Sequence, residues 1–161
     1  SKQHWYLNGT LTCMKYITLL LLFAFFSCTY PCAPSDGLRI QLVGFTQQEA
    51  DIIILKKYEK GKGFAAQIDS LVIDSNVTRY RISNDTLLIT ASTSTARLLS
   101  KYDYLIRIPS TNSVFYITEM NEPQQEGRKS RYKVMCGNSI QSCKINGAAT
   151  PIRSDHLYLK K

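Results

Sequence analysis

The chain contains only two histidines, and His156 is the only one after Met14. One histidine cannot form a metal-binding pair such as HExxH, so that class of site is excluded from the body of the chain. The nucleophile motif GxSxG is also absent, although Ser154 and Asp155 beside His156 supply the residue types of a hydrolytic triad. Adjacency in sequence is not triad geometry, so we expect His156 to be an ordinary strand residue.

Missing residues also argue against phosphate-binding and zinc sites. Lys60-Gly61-Lys62-Gly63-Phe64 lacks the first glycine of a phosphate loop and the Ser or Thr after its lysine, so it predicts a hairpin turn. The cysteines lack the close paired spacing of a zinc site and have no cluster of histidine partners. The sequence therefore predicts no catalytic group, no metal and no cofactor.

Acidic residues are outnumbered, with 12 Asp and Glu against 20 Lys and Arg. A surplus of this size favours anionic surfaces. The basic residues are mostly scattered among acids, which does not indicate a nucleic-acid partner. Two small groups are candidate contacts for an anionic partner: Lys56, Lys57, Lys60 and Lys62 in the first, and Arg128, Lys129, Arg131 and Lys133 in the second.

One apolar run stands near the N terminus. Lys15 follows Met14, and Ile17–Phe26 is almost entirely apolar. That run has the length of a secretory h-region and is too short to span about 30 Å of hydrocarbon as a helix. It predicts a cleaved signal helix at residues 14–27, with residues 1–13 as upstream residues outside the fold.

The segment that ends this run, Phe25-Phe26-Ser27-Cys28, resembles the lipobox of bacterial lipoprotein precursors. Ser27 occupies the small position, and Phe25 stands where an aliphatic residue is usual. The resemblance implies cleavage before Cys28, a diacylglycerol on its sulfur and usually a further acyl chain on its amino group. Several acyl chains together anchor a protein stably to a membrane, because each buried methylene contributes about 0.8 kcal/mol.

The residues after Cys28 bear on location. The resemblance implies the outer membrane, since Thr29 is not the aspartate that often signals inner-membrane retention. Residues 29–35 carry no acidic sorting charge, which favours a domain facing the periplasm and leaves surface exposure open. The Pro, Ser and Gly content of residues 28–37 is typical of a flexible tether, so the globular domain is expected at residues 38–161.

Polar and apolar residues alternate along most of this domain. Tyr102–Ile108, Arg79–Ser83, Val114–Glu119 and Arg131–Cys136 all show the period of two that is typical of strands. About nine short strands with turn residues between them predict a mainly β fold, either a small antiparallel β-sandwich or an open barrel.

One or two short helical turns are expected within this β fold. Thr46-Gln47-Gln48-Glu49 matches a capping box and predicts a helical turn after the first strand. The β-branched run Asp51–Leu55 that follows predicts a rapid return to a buried strand. Thr95–Lys101 is the second candidate for a short helix.

The cysteines leave two alternatives open. Export makes disulfides plausible, and Cys136–Cys143 would close a short loop. If Gly137-Asn138 instead forms a two-residue hairpin turn, these cysteines face other partners and lie too far apart to bond. The disulfide and the tight hairpin exclude each other, and Cys32 is a candidate unpaired thiol.

Three functional hypotheses follow. The first is a membrane-anchored, non-catalytic envelope lipoprotein that binds or supports an envelope protein or polysaccharide. The second is a lipid-anchored hydrolase of envelope polymers that uses two of Asp103, Glu119 and Glu122. The third is a basic inhibitor or scavenger of an anionic partner.

A further resemblance bears on the first hypothesis. Gly44–Tyr58, Tyr104–Pro109 and Cys136–Gly147 resemble segments of small, uncharacterised envelope lipoproteins of Gram-negative bacteria. That group has no established activity to carry over.

Overall fold

The computed structural model describes residues 30–74, 78–83, 85–90, 96–129 and 134–161. Residues 1–13, the signal helix expected at residues 14–27 and Cys28 lie outside this part, as do Arg131 and Lys133. The described residues are mainly β, and their strands in chain order are β1 (Tyr30–Pro31), β2 (Arg39–Val43), β3 (Ile53–Glu59), β4 (Gln67–Ile73), β5 (Thr78–Ser83), β6 (Thr86–Thr90), β7 (Tyr102–Ile108), β8 (Ser113–Asn121), β9 (Glu126–Lys129), β10 (Val134–Met135), β11 (Ser142–Ile145), β12 (Ala148–Pro151) and β13 (His156–Lys160).

Two sheets pack as a small β-sandwich. The larger has the order β12-β11-β8-β7-β3-β4 and the smaller has the order β13-β2-β6-β5, while β1, β9 and β10 form a short third sheet. Every neighbouring pair is antiparallel except β13 and β2, which run parallel. The antiparallel β fold expected from the period-two pattern is confirmed.

The core lies between the two larger sheets because one face of each strand is apolar. Ile106 and Ile117 from the six-stranded sheet and Leu42 and Leu157 from the four-stranded sheet are fully buried in one cluster. Phe45 and Phe115 meet in this cluster with their ring centroids 6.3 Å apart in an edge-to-face arrangement. The strand predicted at Tyr102–Ile108 forms with those bounds as β7.

The two predicted helical turns have different outcomes. At the capping box, the amide of Thr46 donates to Glu49 Oε2 (2.9 Å) and the amide of Glu49 donates to Thr46 Oγ1 (3.2 Å), so this turn is confirmed. A helix through Thr95–Lys101 is wrong for the described residues 97–101. Leu98 instead pairs with Leu38 through two backbone hydrogen bonds of 2.9 and 3.0 Å, because both side chains are fully buried in the core.

The expectation of a flexible tether is wrong for residues 30–37, which we call the N-terminal strap. Tyr30 pairs with Gly127, and Cys32 forms a disulfide with Cys136. The side-chain amide of Asn138 donates to the carbonyls of Cys32 and Ala33 at 3.4 and 2.9 Å. Pro and Ser content alone indicated a tether, but these long-range contacts bind the strap to the domain.

The predicted alternatives for Cys136 are therefore both wrong. Cys136 bonds Cys32 with a Cα–Cα distance of 5.5 Å, and Cys143 is a buried free thiol. Gly137-Asn138 is not a hairpin turn, because β10 pairs with β9 whereas β11 pairs with β8 and β12. Burial raises the pKa of the Cys143 thiol to about 11, which disfavours the reactive thiolate.

Among the described residues, no helix combines the length and apolarity needed to cross a bilayer.

Candidate functional site

The six-stranded sheet has an outer face that points away from the core, and this face carries an open groove. The groove has a volume of about 350 Å³, within the range of small-ligand sites. Alternation along three neighbouring strands places six of its seven lining residues there, because the residues between them face the core. The seventh, Asn112, lies on the turn before β8. We call it the outer groove, and it is lined by Ile54, Lys56, Leu105, Arg107, Asn112, Val114 and Tyr116.

Strand register arranges these side chains in two rows across the strands. In one row, Ile54 lies beside Arg107, and Arg107 lies beside Val114. In the other row, Lys56 lies beside Leu105, and Leu105 lies beside Tyr116. Each cation therefore has aliphatic neighbours on the outer face. The two cations are diagonal neighbours on adjacent strands, with their Cα atoms about 7 Å apart.

The two cations of the outer groove have no acidic partner among the described residues. The ion pairs of this part join Lys57 to Asp69, Arg97 to Asp36, Lys144 to Glu119 and Lys161 to Glu49. Neither Lys56 nor Arg107 takes part in them. Both positive charges are therefore available to a partner that enters the outer groove.

An aromatic cluster closes one end of the outer face. Phe64, on the turn after β3, packs edge-to-face against Tyr58 and Tyr116 with both centroid distances at 5.1 Å. The hairpin turn predicted for Lys60–Phe64 is confirmed, and Phe64 adopts a φ of 63° within it. A left-handed backbone is unfavourable for a bulky residue, so the contacts of the ring offset that cost.

Asp103 explains how this turn is fixed. Its side chain lies on the outer face but is only 3% exposed, because the turn folds over it and the amide of Gly61 donates to Asp103 Oδ2 at 2.7 Å. Lys60 Nζ reaches past the turn to the carbonyls of Ser100 and Met120 at 2.8 and 2.7 Å. These contacts hold Phe64 against the end of the outer groove.

The first predicted basic group is therefore divided by the fold. Lys56 lines the outer groove and Lys62 is exposed on the turn, whereas Lys57 is paired with Asp69 at 3.4 Å. Lys60 is held by backbone carbonyls. Sequence reasoning did not identify Arg107 as a neighbour of Lys56 in the groove, because only the pairing of β3 with β7 brings the two residues together.

The second predicted basic group is described only in part. Arg128 and Lys129 lie on β9, opposite Met135 and Val134. Gly127, the residue before Arg128, pairs with Tyr30 of the N-terminal strap. No strand pairing within the described part joins β9 to the sheet that carries Lys56, so the structure does not unite the two basic groups in one patch.

The three carboxylates proposed for hydrolysis do not meet in a cleft. Asp103 is buried beneath the turn, and Glu119 is ion-paired with Lys144 at 2.8 Å. Glu122 accepts hydrogen bonds from the Ser35 amide and from Ser100 Oγ. None of the three carboxylates lines the outer groove or the polar cleft described below, and their separate structural contacts do not form the facing pair that a glycosidase requires.

A second, polar cleft of about 540 Å³ lies between the N-terminal strap and the start of β13. His156 lines it together with Ser154 and Asp155, and no hydrogen bond of the His156 side chain to either is present. Arg39 and Arg97 also line this cleft, but Asp36 and Asp155 face them, and Asp36 pairs with Arg97 at 3.5 Å. The polar cleft therefore has little net charge and is the weaker candidate.

Glu122 fastens the N-terminal strap beside this cleft. Burial acts to raise the pKa of Glu122, but hydrogen bonds from Ser100 and Ser35 and the nearby charge of Lys60 outweigh it. The net result is a pKa below the ordinary value of a glutamate.

A pH-dependent loss of stability should follow. A carboxylate whose pKa is lowered by folding stabilises the folded state above its unfolded pKa, and this contribution is lost as the pH falls through the folded value. We expect the difference in free energy of unfolding between the wild type and Glu122→Gln, measured in urea, to be constant near pH 7 and to shrink below about pH 4.3. A difference that does not change on acidification would contradict this assignment.

Among the described residues, no group of three or more His, Cys, Asp or Glu side chains could hold a metal ion. Comparison of the chain with protein-family models, with curated proteins and with solved structures finds no match.

Proposed function

We propose that the protein is a membrane-anchored lipoprotein of the bacterial cell envelope whose β-sandwich binds a partner without catalysis. The outer groove supports the binding part of this proposal, because two cations without an acidic partner among the described residues lie there among half-buried aliphatic side chains and the exposed ring of Tyr116. The candidate catalytic carboxylates, by contrast, are each engaged in structural contacts. The lipobox-like segment supports the anchor through Cys28. Thr29 favours the outer membrane, and the absence of acidic residues from residues 29–35 favours a domain that faces the periplasm.

The N-terminal strap adds a geometric consequence. Tyr30 is already paired with Gly127, so only Thr29 separates a lipidated Cys28 from the folded domain. Two residues span about 7 Å at most. In the proposed arrangement the domain sits directly on the membrane surface with restricted orientation, and the end that carries β1 and β9 lies nearest to the lipid.

Replacement of Cys28 by alanine tests the anchor. We expect the wild-type protein from the membrane fraction of expressing bacteria to have the intact mass of a chain beginning at Cys28 plus acyl groups. Cys28→Ala should lack that added mass and lose its membrane association, because the acyl chains supply the affinity.

Cys13→Ala is the matched control, since Cys13 precedes the expected cleavage point and its replacement should leave the mature mass unchanged. A wild-type mass without lipid, or an uncleaved chain beginning at Met14, would refute the proposed anchor.

A further inference from the structure

We infer that the outer groove binds an extended acidic segment of another envelope protein, in which acidic and aliphatic side chains alternate along one face. This inference rests on the proposed function and names the partner class of the same site. It goes beyond the sequence-based candidates, because Arg107 was not among them and only Lys56 of the first basic group lines the groove.

The spacing of the groove defines the occupant. Along β3 the outer face presents Ile54 and then Lys56, and along β7 it presents Leu105 and then Arg107. Each apolar-to-cation step is two residues, or about 6.8 Å along a strand. Because β3 and β7 run antiparallel, these two steps run in opposite directions. An extended chain with an aliphatic and an acidic residue two positions apart therefore matches the order of one strand, and its carboxylate then lies between the two diagonal cations.

The charges that line the groove indicate the sign of the charge expected on its partner. Lys56 is half-buried and Arg107 is exposed, and neither has an acidic partner among the described residues. Asp103, the acidic residue on the same strand face, is buried under the turn and accepts from Gly61. The groove therefore presents positive charge to a partner, and a carboxylate of that partner lying between the two diagonal cations would offset both charges.

The apolar lining favours a protein segment over an anionic polysaccharide. Sugars stack on flat, open aromatic faces, and the groove offers one such ring: Tyr116 is 43% exposed, with Phe64 packed edge-to-face against it. The remaining apolar lining is aliphatic: Ile54, Leu105 and Val114. Apolar side chains of a protein segment would cover this surface, and burial contributes about 25 cal/mol per Å² of apolar area.

Peptide titration of the full chain in uncharged detergent micelles tests the inference. The probe is a fluorescent peptide of repeating Glu-Ser-Val-Ser, which presents alternating acid and valine on one extended face. Matched peptides replace glutamate by glutamine or valine by serine, and polygalacturonate serves as the anionic polysaccharide. We expect saturable binding of the first peptide and clearly weaker binding of all three controls.

Variants of the chain assign this binding to the groove. Lys56→Gln with Arg107→Gln should weaken binding of the first peptide about tenfold, since each exposed charge pair contributes up to about 1 kcal/mol. Arg153→Gln with Lys160→Gln is the matched control, because it removes one arginine and one lysine from exposed positions near the two ends of β13, an edge strand of the four-stranded sheet. This variant should leave the affinity unchanged. The groove variant should unfold at the same or a slightly higher temperature, because it relieves like-charge repulsion.

Several outcomes would overturn the inference. These are the absence of binding by any peptide, equal binding of the glutamine peptide, unchanged affinity in the groove variant, or tighter binding of polygalacturonate. None of these outcomes depends on lipidation of Cys28, so failure of the anchor and failure of the groove are separately observable.

Discussion

Replacing both Cys32 and Cys136 by alanine is expected to lower the free energy of unfolding by about 3–4 kcal/mol. The disulfide joins residues 104 positions apart, so its loss frees a long loop in the unfolded chain. The chain-entropy estimate for a loop of this length is about 4.7 kcal/mol, and measured losses are commonly somewhat smaller. Urea denaturation should also show a larger m value, because the unfolded chain becomes more expanded.

Single variants distinguish the observed pairing from the one expected by sequence. Cys136→Ala and Cys32→Ala should each cause nearly the full loss, whereas Cys143→Ala should cost only about 1 kcal/mol as a small core substitution. Alkylation of the denatured protein without reductant should modify Cys143 and leave the other two cysteines protected. If Cys143→Ala were as destabilising as Cys136→Ala, the bond would join those two residues instead.

Local patterns predicted the elements that depend on nearby residues. The alternation in Tyr102–Ile108 predicts β7, since burial of one strand face is a property of the segment itself. The capping box at Thr46 forms because both hydrogen bonds lie within one turn.

Long-range contacts explain what could not be predicted. Asp103 is polar and in outward phase, yet it is buried, because the turn after β3 folds over it. The segment before residue 38 was expected to be a flexible tether, but residues 30–37 are bound to the domain because Cys32 forms a disulfide with Cys136.

The candidate site shows the same limit. Lysines that are contiguous in sequence separate onto different faces, whereas Lys56 and Arg107, which are distant in sequence, become neighbours through the register of β3 with β7. The residues of a basic group in a strand must therefore be assigned to the two faces of the sheet before the group predicts a binding surface. Their neighbours on adjacent strands depend on the strand order of the sheet, which could not be predicted from the sequence.

Gly37→Ala is expected to lower the free energy of unfolding by about 3 kcal/mol, because two costs act together. Gly37 has a φ of 86°, which an alanine side chain disfavours, and its added Cβ would lie 2.8 Å from the carbonyl oxygen of Leu98. That oxygen accepts the hydrogen bond from the Leu38 amide at 2.9 Å. Relieving the clash would therefore displace the pairing that joins the N-terminal strap to the core.

Gly147→Ala separates these costs. Gly147 has a similar φ of 82°, but no heavy atom beyond its own residue and its chain neighbours lies within 4 Å of its added Cβ. This variant should lose only about 1 kcal/mol, the cost of a left-handed alanine partly offset by the lower entropy of its unfolded chain. Urea denaturation of both variants measures the difference, which we expect to be about 2 kcal/mol. Equal losses would mean that the strap moves away from Leu98 without cost, and that its contacts contribute little to the stability of the domain.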